Sequence, residues 1–166
     1  MNAARAFRFL LAASAAVLSG CATRQAADGK PQIYDPHADG ERQLARALRQ
    51  AERKDRRVLL CLGANWCGDS QAMHRLLDDD PALAAEARAH YVVVLVDVDN
   101  RVTPRRNAAL VARLGEPLEK GMPTLLVLTP DGRVLNDTPD QRLDDEDHRF
   151  PDKVLAFLRE YAGATP

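Results

Sequence analysis

The chain has 166 residues, 46% of them hydrophobic, and 23 Lys and Arg against 24 Asp and Glu leave a net charge of -1. Such a length suits one domain with a sizeable core, and the near-balanced charge argues against nucleic acid or an anionic surface as partner. Three cysteines suggest no obvious disulfide framework, which points to chemistry as their use.

At the start, Arg5 and Arg8 supply a positive region, Phe9 to Leu18 a short apolar run, and Leu18-Ser19-Gly20-Cys21 its end. Ten apolar or small residues fall short of a bilayer core of ~30 Å. The closing tetrapeptide resembles the lipobox of bacterial lipoproteins. That resemblance implies a signal peptide over 1–20, cleavage before Cys21, and acylation of Cys21 on its thiol and new amino group. The protein would then face the periplasm of the cell envelope, and Ala22 after the cysteine favours the outer membrane. Without Arg5 and Arg8 the net charge moves from -1 to -3. Residues 21–33 are polar, small and aperiodic, as a lipidated tether would be, and the folded domain is expected over 34–166.

Gln32 to Tyr34 reads as a short first strand. Asp39 can cap a helix from Glu41 to Lys54, with Leu44, Ala47, Leu48 and Ala51 on its inner face and a basic, solvated outer face. Val58 to Leu62 is an apolar run ending at Gly63, and the spacing then changes to Met73, Leu76 and Leu77, a buried strand feeding a helix through a short turn. The turn puts Cys67 at or just before the first helical residue, where free backbone N–H groups and the helix dipole favour a thiolate over a thiol. Asp80 and Pro81 end that helix and start another. Tyr91 to Asp97 is almost continuously apolar and is expected as a central strand, buried on both faces and parallel to the first. Asp97 and Asp99 leave its end as solvated loop acids.

Thr103-Pro104 opens a further helix, with Ala108, Val111 and Leu114 inward and Gly115 as its stop. Thr124 to Thr129 is a strand, Pro130-Asp131-Gly132 a tight turn, and Arg133 to Leu135 the antiparallel partner. Asn136 to Arg149 is acidic and reads as a solvated insert without calcium-loop spacing. Pro151 and Asp152 begin the last helix, whose Val154, Leu155, Phe157, Leu158 and Tyr161 form an apolar face.

Leu62 to Ser70 resembles the active-site segment of the thioredoxin superfamily, in which a strand ends in Trp-Cys-Gly-x-Cys. Gly121-Met122-Pro123-Thr124 resembles that family's cis-proline loop. The similarity covers Tyr34 to Ala162 and implies an α/β, thioredoxin-like single domain, a central mixed β-sheet flanked by helices. Two departures matter. Ser70 stands where the family has its resolving cysteine, so the site is monothiol. Cys61 stands where the family keeps a buried acid that deprotonates that second thiol. Both halves of the resolving apparatus are missing together.

The resemblance implies that Cys67 is the nucleophile and that Ser70 either donates a hydrogen bond to it or is a plain small residue facing inward. Trp66 would shield the sulfur and offer substrate a flat surface. Pro123 would be cis, and the backbone of Met122 would pair with an extended substrate segment. Cys61, mid-strand among leucines, is a small buried apolar residue, with a cryptic resolving thiol as the other reading. His74 lies two turns after Cys67, ~10 Å away, and His37, His90 and His148 show no ligand spacing, so neither metal nor cofactor is expected. Two functions follow. One is monothiol thiol–disulfide exchange with envelope proteins carrying thiols or disulfides, or with glutathione-like small thiols. The other is a non-catalytic peptide-binding or assembly module.

Overall fold

The run at 57–63 forms the middle of a three-stranded sheet because both of its faces are apolar. β1 (Arg57–Gly63) pairs in parallel with β2 (Tyr91–Asp97) and antiparallel with β3 (Thr124–Leu128), giving the order β2-β1-β3 and a mixed sheet. The computed structural model describes residues 32–143 and 146–163. The expected signal peptide, Cys21 and the expected tether up to residue 31 lie outside the described residues, as do Asp144 and Asp145 of the acidic insert.

The pleat divides the core in two. Val58, Leu60 and Leu62 point to one side, where they meet Leu44, Ala47 and Ala51 of α1 (Gly40–Lys54) and Leu110 and Val111 of α4 (Ala108–Arg113). Leu59 and Cys61 point to the other, onto Met73 and Leu77 of α2 (Gly68–Asp79), Leu83 of α3 (Pro81–His90), and Val154, Phe157 and Leu158 of α5 (Pro151–Ala162). Helices therefore cover both faces, and β1 needs no polar side. The expected caps are present: Asp39 accepts from the Arg42 N–H at 3.1 Å, and Asp80 accepts from Ala82 and Leu83 at 2.9 and 3.0 Å.

Several expectations are corrected. Gln32 to Tyr34 forms no strand; the Asn65 side chain instead accepts from the N–H groups of Ile33 and Tyr34, both at 2.9 Å, and donates to the Tyr34 carbonyl. One amide side chain thus does a strand edge's work. β2 lies at an edge of the described sheet, not its centre, and Val93 is 41% exposed, because an apolar run by itself does not say how many neighbours a strand has. The helix after Thr103-Pro104 begins only at Ala108. Asn107, in the left-handed region at φ 52°, precedes it and accepts from the Gly40 N–H at 2.8 Å while donating to the Asp97 carbonyl at 2.8 Å. Arg133 to Leu135 makes one bridge, Leu128 to Val134, and the Leu135 N–H bonds Val127 at 2.8 Å, but no full strand forms.

The acidic insert is not simply solvated. Asn136 is fully buried against β3, and Arg142 is buried among backbone carbonyls; short 3-10 turns span Pro139–Gln141 and Asp147–Arg149.

Candidate active site

The end of β1 and the start of α2 meet the loop before β3 at a single thiol. Cys67 is the N-cap of α2, in extended conformation at φ -79° and ψ 117°, and makes no side-chain cap bond. Its Sγ instead points across the sheet end and donates to the Met122 carbonyl at 3.4 Å. The Met122–Pro123 peptide is cis and Pro123 is buried. Cys67 is 8% exposed and so is largely covered. Cys67, Met122 and Pro123 are thus brought together although 55 residues separate the first two.

Ser70 sits one turn on and faces inward. It is fully buried, accepts from the Ala64 N–H at 3.4 Å and is hydrogen-bonded to the Tyr34 phenol. Burial above all, and the neighbouring Cys61 to a lesser degree, push the Tyr34 phenol far above its usual range, so it stays neutral. Gly63 allows this packing. A Cβ there would lie 2.6 Å from the Tyr34 ring and 2.7 Å from Ser70 Oγ. Ser70 thus faces inward, hydrogen-bonded to Ala64 and Tyr34.

Cys61 is fully buried on the same face of β1, toward α2, and burial pushes its thiol up to about 12. It remains protonated at neutral pH and is a poor nucleophile. Among the described residues Cys61 and Cys67 are both free thiols, and no group of three or more His, Cys, Asp or Glu side chains is arranged to hold a metal.

The loop acids prove to be structural. Asp99 is 7% exposed and its Oδ1 accepts from Trp66 Nε1 at 2.8 Å and from the Arg101 N–H at 2.9 Å. Asp97 is almost fully buried, accepts from the Asp99 N–H at 2.8 Å and pairs with Arg106 at 2.9 Å. Trp66, 39% exposed, is held by its indole N–H while the Arg101 guanidinium lies 4.5 Å above its ring. Asp97, Asp99, Arg101 and Arg106 were not among the sequence-derived candidates. Their only local signal is the polar Asp-Val-Asp-Asn-Arg segment directly after a strand that ends near the cysteine.

Burial opposes the charge on Asp99, but hydrogen bonds from the Arg101 backbone, Trp66 and the Arg101 side chain outweigh it and hold the carboxyl below its ordinary range. A depressed native pKa means that this support is present above the unfolded value of about 3.9 and is lost as pH falls through the native one. Trp66 is the chain's one tryptophan. Its emission is therefore expected to hold steady from pH 8 to about 4 and to shift only below that; a shift centred near pH 6 would refute the assignment.

Behind the site, Arg142 donates to the carbonyls of Asn136 and Pro117, both at 3.4 Å, and to the Asp137 carbonyl and Glu119. Thr124 Oγ1 donates to the Gly121 carbonyl at 2.8 Å. The insert therefore braces the segment that carries Met122. Asp69, in the first turn of α2, is paired with Arg149 at 3.3 Å.

Comparison with known proteins agrees with this arrangement. A family described as thioredoxin-like matches residues 39–130. A disulphide isomerase from Xylella fastidiosa Temecula1 superposes with a TM-score of 0.67 at 29% identity, covering 79% of this chain and 97% of that one. A thioredoxin from Thermus thermophilus superposes with a TM-score of 0.53 at 28% identity, covering 69% and 80%. No curated protein matches the chain.

Proposed function

The chain belongs to the thioredoxin-like family, and from that premise we propose that it carries out monothiol thiol–disulfide exchange through Cys67. The observation that carries the reading is the Cys67 sulfur 3.4 Å from the Met122 carbonyl beside Pro123, with the hydroxyl of Ser70 one turn away turned into the core. The two solved neighbours, a disulphide isomerase and a thioredoxin, support an oxidoreductase-like role.

In this reading an extended substrate segment lies along the Met122 backbone, replacing the intramolecular bond to Cys67. The Cys67 thiolate attacks one sulfur of R–S–S–R′; the Cys67–S–S–R bond forms, the substrate disulfide breaks and R′–S⁻ leaves with the electron pair. Ser70 cannot complete the cycle, because a hydroxyl is not a competent attacker of a disulfide. An external thiolate R″–S⁻ then attacks the mixed disulfide, releases R–S–S–R″ and restores Cys67. No net oxidation occurs, which suits isomerisation and thiol transfer.

The envelope location is part of the same proposal. The described chain begins beside Asn65, next to Trp66 and Cys67. A tether of about eleven residues from a lipidated Cys21 spans at most ~40 Å. The thiol would then work close to the membrane surface, on envelope proteins or small thiols.

Incubation of the full chain with 2-hydroxyethyl disulfide, followed by intact-mass and peptide analysis, tests the chemistry. Within residues 32–163 one adduct is expected, on Cys67 and not Cys61, stable until a thiol is added and absent in Cys67→Ser. The 8% exposure of Cys67 is the observation that favours the other reading, a peptide-holding module without redox chemistry. An unmodified Cys67 under these conditions would establish that module instead.

A further inference from the structure

We propose that Arg101, stacked on Trp66, forms a carboxylate-binding subsite beside Cys67, so that the preferred disulfides carry a negative charge a few atoms from the sulfur. The inference rests on the exchange reading above and adds the class of substrate to it.

The guanidinium is fixed on two sides and open on the third. Its Cζ lies 4.5 Å from the centre of the Trp66 ring, and its Nε is 3.4 Å from Asp99 Oδ1. Nη1 and Nη2 make no hydrogen bond to a described residue, and the side chain is 60% exposed. Those two nitrogens are the pair of parallel donors that a carboxylate accepts bidentately. Asp99 does not require them, since its Oδ1 already accepts from Trp66 and from the Arg101 backbone. Stacking and the Nε contact remove much of the freedom a long side chain would lose on binding, so the donors are presented in advance.

The surrounding charges leave Arg101 as the cation that a ligand would meet. Arg106 reaches inward, 2.9 Å from Asp97 Oδ2 and 3.9 Å from Asp99 Oδ2, and offsets the two buried acids. Asp69, the carboxylate nearest Cys67 in sequence, is paired with Arg149. Trp66 itself is the residue before Cys67, so a substrate sulfur at Cys67 brings its neighbouring atoms over the indole edge and toward the guanidinium.

Three symmetric disulfides of similar carbon spacing isolate the charge: 3,3′-dithiodipropionate, 2-hydroxyethyl disulfide and cystamine. Second-order rates of adduct formation on Cys67 of the full chain are measured for each and divided by the rates for N-acetylcysteine amide, which removes intrinsic reactivity. The normalised rate is expected to be about fivefold higher for the dianion than for the neutral disulfide, and lowest for cystamine. Raising the salt should erode the preference. In Arg101→Gln the ratio of anionic to neutral rates falls to about one, whereas Arg49→Gln, an equal change of charge on the exposed face of α1, keeps it. Equal normalised rates in the wild type, or a preference that survives Arg101→Gln, would overturn the subsite while leaving exchange intact. Failure of all three disulfides to modify Cys67 would overturn both.

Discussion

A Ser70→Cys variant is expected to shorten the lifetime of the Cys67 mixed disulfide by about a hundredfold or more at millimolar external thiol. Under the proposed exchange the wild-type adduct would wait for a collision, and its decay would be first order in added thiol. A sulfur three residues on, at the third residue of the helix that Cys67 caps, attacks within the same molecule. Well-oriented intramolecular groups reach effective concentrations far above ~1 mM, which is the source of the acceleration. The gain is limited here because position 70 is fully buried against Tyr34 and Ala64, and burial disfavours the thiolate. It is limited further because position 61 carries a thiol held protonated, where an acid would accept the proton. Quenched-flow mass spectrometry should show adduct decay that no longer depends on external thiol, with an internal disulfide between Cys67 and the introduced thiol as product. Decay that stays thiol-dependent would mean that the inward orientation of residue 70 keeps it out of reach.

Asn136→Ala is expected to cost about 2–5 kcal/mol of stability, the largest loss among single polar substitutions in the fold. The Asn136 amide accepts from the Val127 N–H at 2.8 Å and donates to the Leu125 carbonyl at 2.8 Å, replacing the next strand along β3. The side chain is fully buried. Alanine leaves a backbone donor and a backbone acceptor without partners, each worth about 1–3 kcal/mol, and opens a small void. In urea, the unfolding midpoint should drop with the slope unchanged, and the thermal midpoint should fall by about 10 °C or more. A loss below ~1 kcal/mol would show that water reaches this edge and takes over the amide's bonds. Because the Asn136 carbonyl also receives Arg142, which reaches Pro117, the variant should disturb the Met122 segment before the sheet itself.

These two positions mark what local pattern can and cannot reveal. Ser70 was legible because a motif places it: a strand, a Trp-Cys pair and a helix fix its distance along the chain from Cys67, and its chemistry follows from its identity. Asn136 was not. In sequence it is the first polar residue of an acidic stretch, and nothing in its immediate surroundings announces that β3 has an unpaired edge to satisfy. The same holds for Asp99, whose indole partner lies 33 residues earlier, and for Asn107, whose partner Gly40 lies 67 residues earlier. β2 fails in the other direction: a run of valines has the composition of a central strand, yet β2 is an edge strand among the described residues, and Val93, on the face opposite the buried Val92 and Val96, is 41% exposed.

By itself the amino-acid sequence determined the helix caps at Asp39 and Asp80, the buried strand at 58–62, the presence of Ser70 three residues after Cys67 and the placing of Cys67 at a helix start. Each depends on residues within about one turn or one strand of one another, where backbone hydrogen bonding and apolar period act directly. Tertiary structure alone decided that Asp97 and Asp99 are buried supports for Trp66, that Arg101 lies flat on the indole, and that Ser70 turns toward Tyr34. Whether a polar side chain is solvated or bonded depends on which distant segments fold against it, and the free energy of that choice is set by desolvation, a property of the assembled neighbourhood.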